Sequence, residues 1–362
     1  MIFNRLKIIN FRCFSSFEIE FFKGINIITG YNATGKTSIL EALNFLALAK
    51  SFRTNDENQL IAVGKNEMAV LGRIEKDQKI FNYKIIKQNK GKQVTKDNYK
   101  YPKLSEYLGE ILIVSLTNFD LINLLGTPKE RRKIIEPIIC QISKFYTDEC
   151  NYYKKLLNER NALLKRLIFE KNSKTISLLK TLDLQLASCA KNIISQRMKF
   201  IQKINLEIKK YYGQIANENE NFEIKYVPSV ASEKFLKILE ENLEEDIKKG
   251  STNYGPHRDD YVFIINNKNI ITYGSQGQQR SALISTKLAF VNLLKEEKND
   301  YPILILDDVL SDLDKYRQNN VFRLLNKEVQ TIISSSTLAD LDEYIKKNAM
   351  VTTLEREMKQ NG

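Results

Sequence analysis

The sequence predicts an α/β fold: a mixed sheet covered by helices, with an antiparallel β lobe and an inserted helical arm. Three observations predict it. Short apolar strands alternate with helices at both ends of the chain. A glycine loop carrying a lysine follows one of the early strands. From about Pro128 to Ala216 the pattern changes to long helices rich in Leu, Ile, Lys and Glu.

Taken in order, Leu6-Lys7-Ile8-Ile9, Phe17–Phe22 and Ile25–Thr29 read as strands. Ser38–Ala49 is mostly apolar and reads as a buried helix. Ala69 to Thr95 suggests hairpins, turning at Asn89-Lys90-Gly91-Lys92, and Ile111–Ser115 suggests another strand. Pro128 suits a helix start, and Pro137 should kink the helix it interrupts. A break at Asn172-Ser173-Lys174 would make a helical hairpin, far shorter than a chromosome-organising coiled coil. Phe222–Val227 returns to strand, and Phe235–Lys249 reads as one amphipathic helix. Tyr261–Ile265 and Ile270–Thr272 flank an Asn-Asn-Lys-Asn turn. The last third alternates: helix Gln278–Leu294, strand Ile303–Leu306, a helix from Lys315, strand Thr331–Ser334 and helix Leu338–Lys346. This predicts three segments, 1–127, 128–250 and 251–362, with the first and last forming one head and the middle inserted.

The 362 residues carry a net charge of +12. A polyanion such as nucleic acid is one reading of that charge, and a bias toward Lys, Ile and Asn is the other. Tyr83–Lys103 holds seven lysines (Lys84, Lys87, Lys90, Lys92, Lys96, Lys100, Lys103) against one acid, Asp97, with Tyr99 and Tyr101 among them. It reads either as a DNA-facing patch or as a solvated hairpin. No apolar run is long enough to span a bilayer, and the start lacks a secretory signal, so the cytoplasm is the expected compartment and no membrane role is expected. Cys13, Cys140, Cys150 and Cys189 form no CxxC pair, and the one histidine cannot complete a zinc site. The cysteines are expected to be small buried apolar residues.

Gly30-Tyr31-Asn32-Ala33-Thr34-Gly35-Lys36-Thr37 satisfies G-x-x-x-x-G-K-[ST] between a strand and an apolar helix. Its glycines let backbone N–H groups converge on phosphates at a helix N-terminus. Lys36 would pair with the β- and γ-phosphates, and Thr37 would ligate Mg²⁺. Ile303–Leu306 then runs into Asp307 and Asp308 at the end of a strand, where ligands bind in parallel sheets. Asp307 would assist Mg²⁺, and Asp308 would polarise an attacking water. Most of the chain separates the two motifs, so its first and last parts must build one nucleotide site. Ser275-Gln276-Gly277-Gln278-Gln279-Arg280 is either a plain helix start or an S-x-G-Q signature of the ABC type. A signature of that kind closes on nucleotide held by a second subunit, which makes dimerisation part of the mechanism. The fold expected is therefore an ABC-type P-loop ATPase head.

With these residues in hand, the chain resembles the RecF family over essentially its whole length. The resemblance rests on Asn10-Phe11-Arg12, Leu40-Glu41-Ala42, Ser51-Phe52-Arg53, Gly126-Thr127-Pro128 with Arg131-Arg132, Gly255–Asp260, Ser275–Arg280 and Leu306–Asp314. It implies an ATPase head with a short arm. It also implies ATP-dependent homodimerisation on double-stranded DNA, with preference for single/double-strand junctions, and work with RecR and RecO to place RecA. Hydrolysis would be slow and would reset the dimer. By resemblance, Gly30–Thr37 with Ser38 bind the triphosphate, and Thr37 and Asp307 serve Mg²⁺. Lys36 and Asp308 serve catalysis, and Ser275, Gly277 and Gln278 contact ATP in trans. Ser311–Asp314 would line the dimer interface, and Arg12 and His257-Arg258 would lie near the nucleotide or the interface. Asp308 stands where many ABC ATPases have glutamate, which agrees with slow turnover. Asn118-Phe119 depart from the usual Pro-Glu, and Ser335 or Ser336 would replace the switch histidine of transporters. A transporter subunit would lack the long insertion. An OLD-type nuclease would need a further acidic domain after Asp308.

Overall fold

A computed structural model describes residues 1–89, 91–170, 172–216, 220–309, 315–324, 327–338, 341 and 343–355. Its strands are β1 (Ile2–Phe11), β2 (Phe14–Glu20), β3 (Ile25–Gly30), β4 (Glu67–Lys76), β5 (Lys79–Gln88), β6 (Gly91–Lys96), β7 (Tyr99–Lys100), β8 (Ile113–Thr117), β9 (Phe222–Val227), β10 (Asp260–Ile265), β11 (Lys268–Asn269), β12 (Ile303–Asp307), β13 (Thr331–Ser335) and β14 (Ala349–Leu354). The chain divides into two compact units. One is Met1–Ile122 with Glu207–Asn221 and Gln276–Gly362, and the other is Asn123–Leu206 with Phe222–Ser275. The expected last segment is thus shared between the units.

The first unit holds two sheets. A parallel sheet has the order β14-β3-β13-β12-β8, and an antiparallel sheet the order β2-β1-β4-β5-β6-β7. Every residue of β12 is buried, as a run of four apolar residues in a central parallel strand requires. Helix Lys36–Leu48 packs on β1, β4 and β5 of one sheet and on β3, β8, β12 and β13 of the other. Its position between two sheets explains why it is mostly apolar and buried along most of its length, Ser38, Glu41 and Asn44 included. β14 was not foreseen. Its six residues, Ala-Met-Val-Thr-Thr-Leu, pair in parallel with β3 from Ala349↔Ile25 to Leu354↔Gly30. The last helix expected at Leu338–Lys346 begins only at Glu343 and ends at Asn348.

The second unit packs helices Pro128–Ile142, Lys144–Phe169 and most of Ser173–Ile215 with the antiparallel sheet β11-β10-β9. At the first helix the Glu130 carboxylate accepts the Thr127 amide at 2.6 Å. Arg160 is fully buried in this unit. Its Nε donates to Asp183 (2.6 Å), and its Nη1 donates to Asp246 (2.7 Å) and Thr252 Oγ1 (2.8 Å). The helix expected over Phe235–Lys249 breaks into Phe235–Glu241 and Leu243–Lys249. Asn242 between them donates from Nδ2 to the Ile238 carbonyl at 2.9 Å, a local bond that competes with helix continuation. Ile270–Thr272 is not a strand. Asn266 and Asn267 take φ values of 47° and 63°, which makes the turn two residues long, and Ile270–Tyr273 becomes a helical turn capped by Asn269.

Among the described residues no helix is long and apolar enough to cross a membrane. The four cysteines are free; Cys189 is buried, but Cys13 is exposed, against expectation.

Candidate nucleotide-binding site

The glycine loop leaves β3 at Gly30, whose φ is 149°. A side chain there would meet the Leu354 carbonyl oxygen at 2.6 Å, so the late strand β14 presses on the loop. Gly35 has φ 100°, and a side chain on it would meet the Phe14 ring at 2.4 Å and Cys13 Sγ at 3.1 Å. The turn between β1 and β2 therefore abuts the loop at the point where it enters the helix. Tyr31, Asn32 and Ala33 are exposed, and Ser38 is buried in the helix. Thr34 Oγ1 donates to the Tyr31 carbonyl at 2.9 Å. Lys36 Nζ donates to the Gly30 and Tyr31 carbonyls at 2.6 and 3.0 Å, so the ammonium sits within the curl of the loop.

Across a sequence separation of 270 residues, Thr37 Oγ1 donates to Asp307 Oδ1 at 3.1 Å. Ser334 Oγ donates to the same oxygen at 2.6 Å. The Asp308 amide donates to Ser334 Oγ at 3.1 Å, and Asp308 has a left-handed backbone with φ 55°. Burial pushes the Asp307 carboxyl above its ordinary range. The hydroxyls of Ser334 and Thr37 oppose that shift, the neighbouring Asp308 reinforces it, and Arg53 opposes it. A buried carboxylate that shares one oxygen with a loop threonine suits a small hard cation. Among the described residues no three His, Cys, Asp or Glu side chains converge as a metal cage. A Mg²⁺ site that takes its remaining ligands from phosphate and water needs no more than the Thr37–Asp307 pair.

Beside the loop, Glu41 is fully buried in the helix and gathers three donors. Arg12 approaches it bidentately, through Nε at 2.9 Å and Nη2 at 2.7 Å. Ser51 Oγ and Arg53 Nη1 complete the set, the latter at 3.4 Å. Arg12 Nη1 also donates to the Gln59 carbonyl at 3.1 Å. The sequence suggested Arg12 at the nucleotide. It carried no signal that Glu41 and Arg53 belong to the same cluster, because the partners meet only through tertiary packing.

Helix Gln276–Lys298 starts directly after Ser275, which is exposed; Gly277 is half-buried. Gln278 Nε2 donates to Glu220 Oε1 at 2.7 Å. Further along this helix, Lys287 Nζ donates to Asp120 Oδ1 at 2.6 Å, with both side chains nearly buried. Asp120 Oδ2 accepts the Thr117 amide at 2.8 Å, and Thr117 lies opposite Asp307 in the sheet. The residues after the unusual Asn118-Phe119 are thereby tied to the helix that follows the S-x-G-Q segment. Ser311–Asp314 lie outside the described residues.

The lysine-rich segment is not one free basic face. Lys87 Nζ donates to Asn58 and to the Gln88 carbonyl, Lys92 to Glu57 and the Ala49 carbonyl, and Lys96 to Glu110. Lys100 and Lys103 are exposed, Lys84 is half-buried, and Lys90 lies outside the described residues. His257 sits inside the second unit. Its Nε2 is 3.1 Å from the Thr252 carbonyl, which can only accept, so Nε2 carries the proton and Nδ1 accepts from Tyr153 Oη at 3.0 Å. Burial lowers its pKa to about 4, and the cationic Arg258, Arg132 and Arg160 add to the effect.

Comparison with known proteins places these features in context. A family model described as an AAA domain matches residues 5–360. The DNA replication and repair protein RecF of Clostridium novyi (strain NT) is 36% identical over 352 residues, covering 95% of this chain and 96% of that protein. The protein of the same name from Lactococcus lactis subsp. lactis (strain IL1403) is 38% identical over 332 residues, covering 92% of each. A solved structure of the recombination mediator protein RecF-ATP in the RecFOR pathway superposes with a TM-score of 0.87 at 30% identity, covering 94% of this chain and 93% of that one. An Smc head domain from Pyrococcus furiosus shares the fold, with a TM-score of 0.52 at 17% identity and coverage of 98% and 94%.

Proposed function

The chain belongs to the RecF family of DNA replication and repair proteins, and from that premise we propose that it is an ATP-dependent DNA-binding protein of recombinational repair. One observation carries the reading: Thr37 and Asp307, 270 residues apart, meet in a hydrogen bond at the mouth of a glycine loop that already cradles Lys36. On ATP binding, Lys36 exchanges the Gly30 and Tyr31 carbonyls for β- and γ-phosphate oxygens. Thr37 and Asp307 would hold Mg²⁺, which would supply positive charge to offset that of the phosphates. Gly30–Gly35 offer backbone N–H groups to the phosphates, with Ser38 at the start of the helix behind them. Arg12, anchored by Glu41, stands beside the loop as a further cation for the triphosphate. Asp308 accepts the proton of the attacking water; its carboxylate is one methylene shorter than glutamate, which favours slow turnover.

Ser275, Gly277 and Gln278 contact ATP held by a second copy, so binding drives head-to-head dimerisation. The dimer holds double-stranded DNA at single/double-strand junctions, and slow, DNA-stimulated hydrolysis resets it. RecR and RecO are its partners in the cytoplasm, and RecA loading is the output. The test is light scattering with and without ATP and duplex DNA, on the wild-type chain and on Lys36→Met. The wild-type mass should double with ATP and retain DNA, and Lys36→Met should do neither. A Lys36→Met protein that still dimerises with ATP refutes the mechanism.

A further inference from the structure

We propose that Ser334 is a positioning residue whose single hydroxyl sets both strand-end acids, Asp307 and Asp308. The inference rests on the ATPase reading above. β13 lies between the loop strand β3 and the acid strand β12, and Ser334 pairs with Ile28 on one side and Asp307 on the other. It therefore stands at the carboxyl ends of the strands, where the two halves of the site meet. A hydroxyl has one hydrogen and two acceptor positions. Ser334 gives its hydrogen to Asp307 Oδ1 at 2.6 Å and accepts the Asp308 amide at 3.1 Å.

The first bond, with that from Thr37 to the same oxygen, fixes the rotamer of the carboxylate expected to serve the metal. The second, beside a longer bond of 3.4 Å from the same amide to the Ser334 carbonyl, holds the backbone of Asp308 at φ 55°, a left-handed conformation uncommon for non-glycine residues though less so for Asp. The side chain expected to face the water is aimed by that backbone. The two neighbouring serines do not offer this geometry. Ser335 Oγ donates to the Thr337 carbonyl at 2.7 Å, and Ser336 is exposed. Ser334 is itself buried, at 2% exposure, so water does not readily replace its hydroxyl.

The test compares wild type, Ser334→Ala and Ser334→Thr by steady-state ATPase rates, by the Mg²⁺ concentration that half-saturates binding of a fluorescent ATP analogue, and by melting temperature. Removing a group that orients a metal ligand costs about 10- to 100-fold in metal affinity or activity. Ser334→Ala should therefore lower kcat and raise the half-saturating Mg²⁺ at least tenfold, roughly as for other outer-sphere partners. Binding of the analogue without metal should stay within about twofold and the melting temperature within a few degrees, as expected when one hydroxyl is lost without a change of fold. Ser334→Thr, which keeps the hydroxyl, should recover most of both. A Ser334→Ala protein with unchanged kcat and Mg²⁺ requirement overturns the proposal. So does one that loses metal-free binding and melts well below wild type, because the hydroxyl would then be holding the fold. If wild type binds no ATP at all, the ATPase reading fails and this proposal falls with it.

Discussion

Glu41→Gln isolates the cluster beside the loop. Two oxygens of one buried carboxylate receive four hydrogen bonds from Arg12, Ser51 and Arg53. A glutamine has one acceptor oxygen, and its amide hydrogens would face guanidinium hydrogens. At least two charge-assisted bonds are therefore lost, each contributing about 1.5–3 kcal/mol when desolvated. Arg12 and Arg53 remain 18% and 33% exposed, so water recovers part of this. A net loss of about 3 kcal/mol follows for the first unit, and for a unit of roughly 200 residues that lowers the melting temperature by about 6–12 °C. Circular dichroism melts of wild type, Glu41→Gln and Glu41→Asp measure it, with Glu41→Asp intermediate because it keeps the charge. A Glu41→Gln protein melting within about 2 °C of wild type would show that the arginines find other partners at no cost, and the assignment of Glu41 as their anchor would be wrong.

Asp308→Asn should bind ATP as wild type does and accumulate a DNA-bound dimer; an unchanged ATPase rate in that variant refutes its role. Replacing Lys84, Lys100 and Lys103 with glutamine should weaken duplex binding and flatten its salt dependence by up to about one unit per lost phosphate contact, whereas unchanged affinity and slope put the DNA surface elsewhere. The same change at Lys87, Lys92 and Lys96 should act mainly on melting temperature, since those ammonium groups serve internal acceptors. The lone histidine makes a clean pH probe by NMR. Its folded pKa of about 4 lies below the unfolded value near 6.5, so its contribution to stability is complete above pH ~6.5 and is lost as pH falls toward 4. A titration midpoint at the unfolded value would contradict the burial and bonding of His257.

The glycine loop and the paired acids were legible because both depend on local pattern, a strand ending in particular residues at fixed spacing. Ser275–Arg280 was legible as a helix start for the same reason. Glu41 stands in the triplet Leu40-Glu41-Ala42, and nothing in that triplet says that residues 12, 51 and 53 converge on it. Ser335 and Ser336 are candidates for the place of a switch histidine, and the sequence does not single out Ser334, whose hydroxyl meets Asp307. Strand alternation decides which one points at the acid, and a reading uncertain by one residue reverses it. The lysine-rich hairpin looked uniform in sequence because charge counting cannot see that Glu57, Glu110 and Asn58 wait for three of its members. β14 escaped notice since six residues of mixed polarity resemble many loops, and only β3 beside it gives them a reason to extend.

The parallel sheet also constrains how the protein can be made. The loop strand β3 leaves the ribosome long before its sheet neighbours β13 and β14. The 270 residues between Thr37 and Asp307 take on the order of tens of seconds to translate. Throughout that interval the nascent chain carries a phosphate loop without its acid partner, and a buried helix without strands β12 and β13 of one of the two sheets that cover it. The Thr37–Asp307 pair, and with it the expected metal site, can form only after Asp307 has left the ribosome.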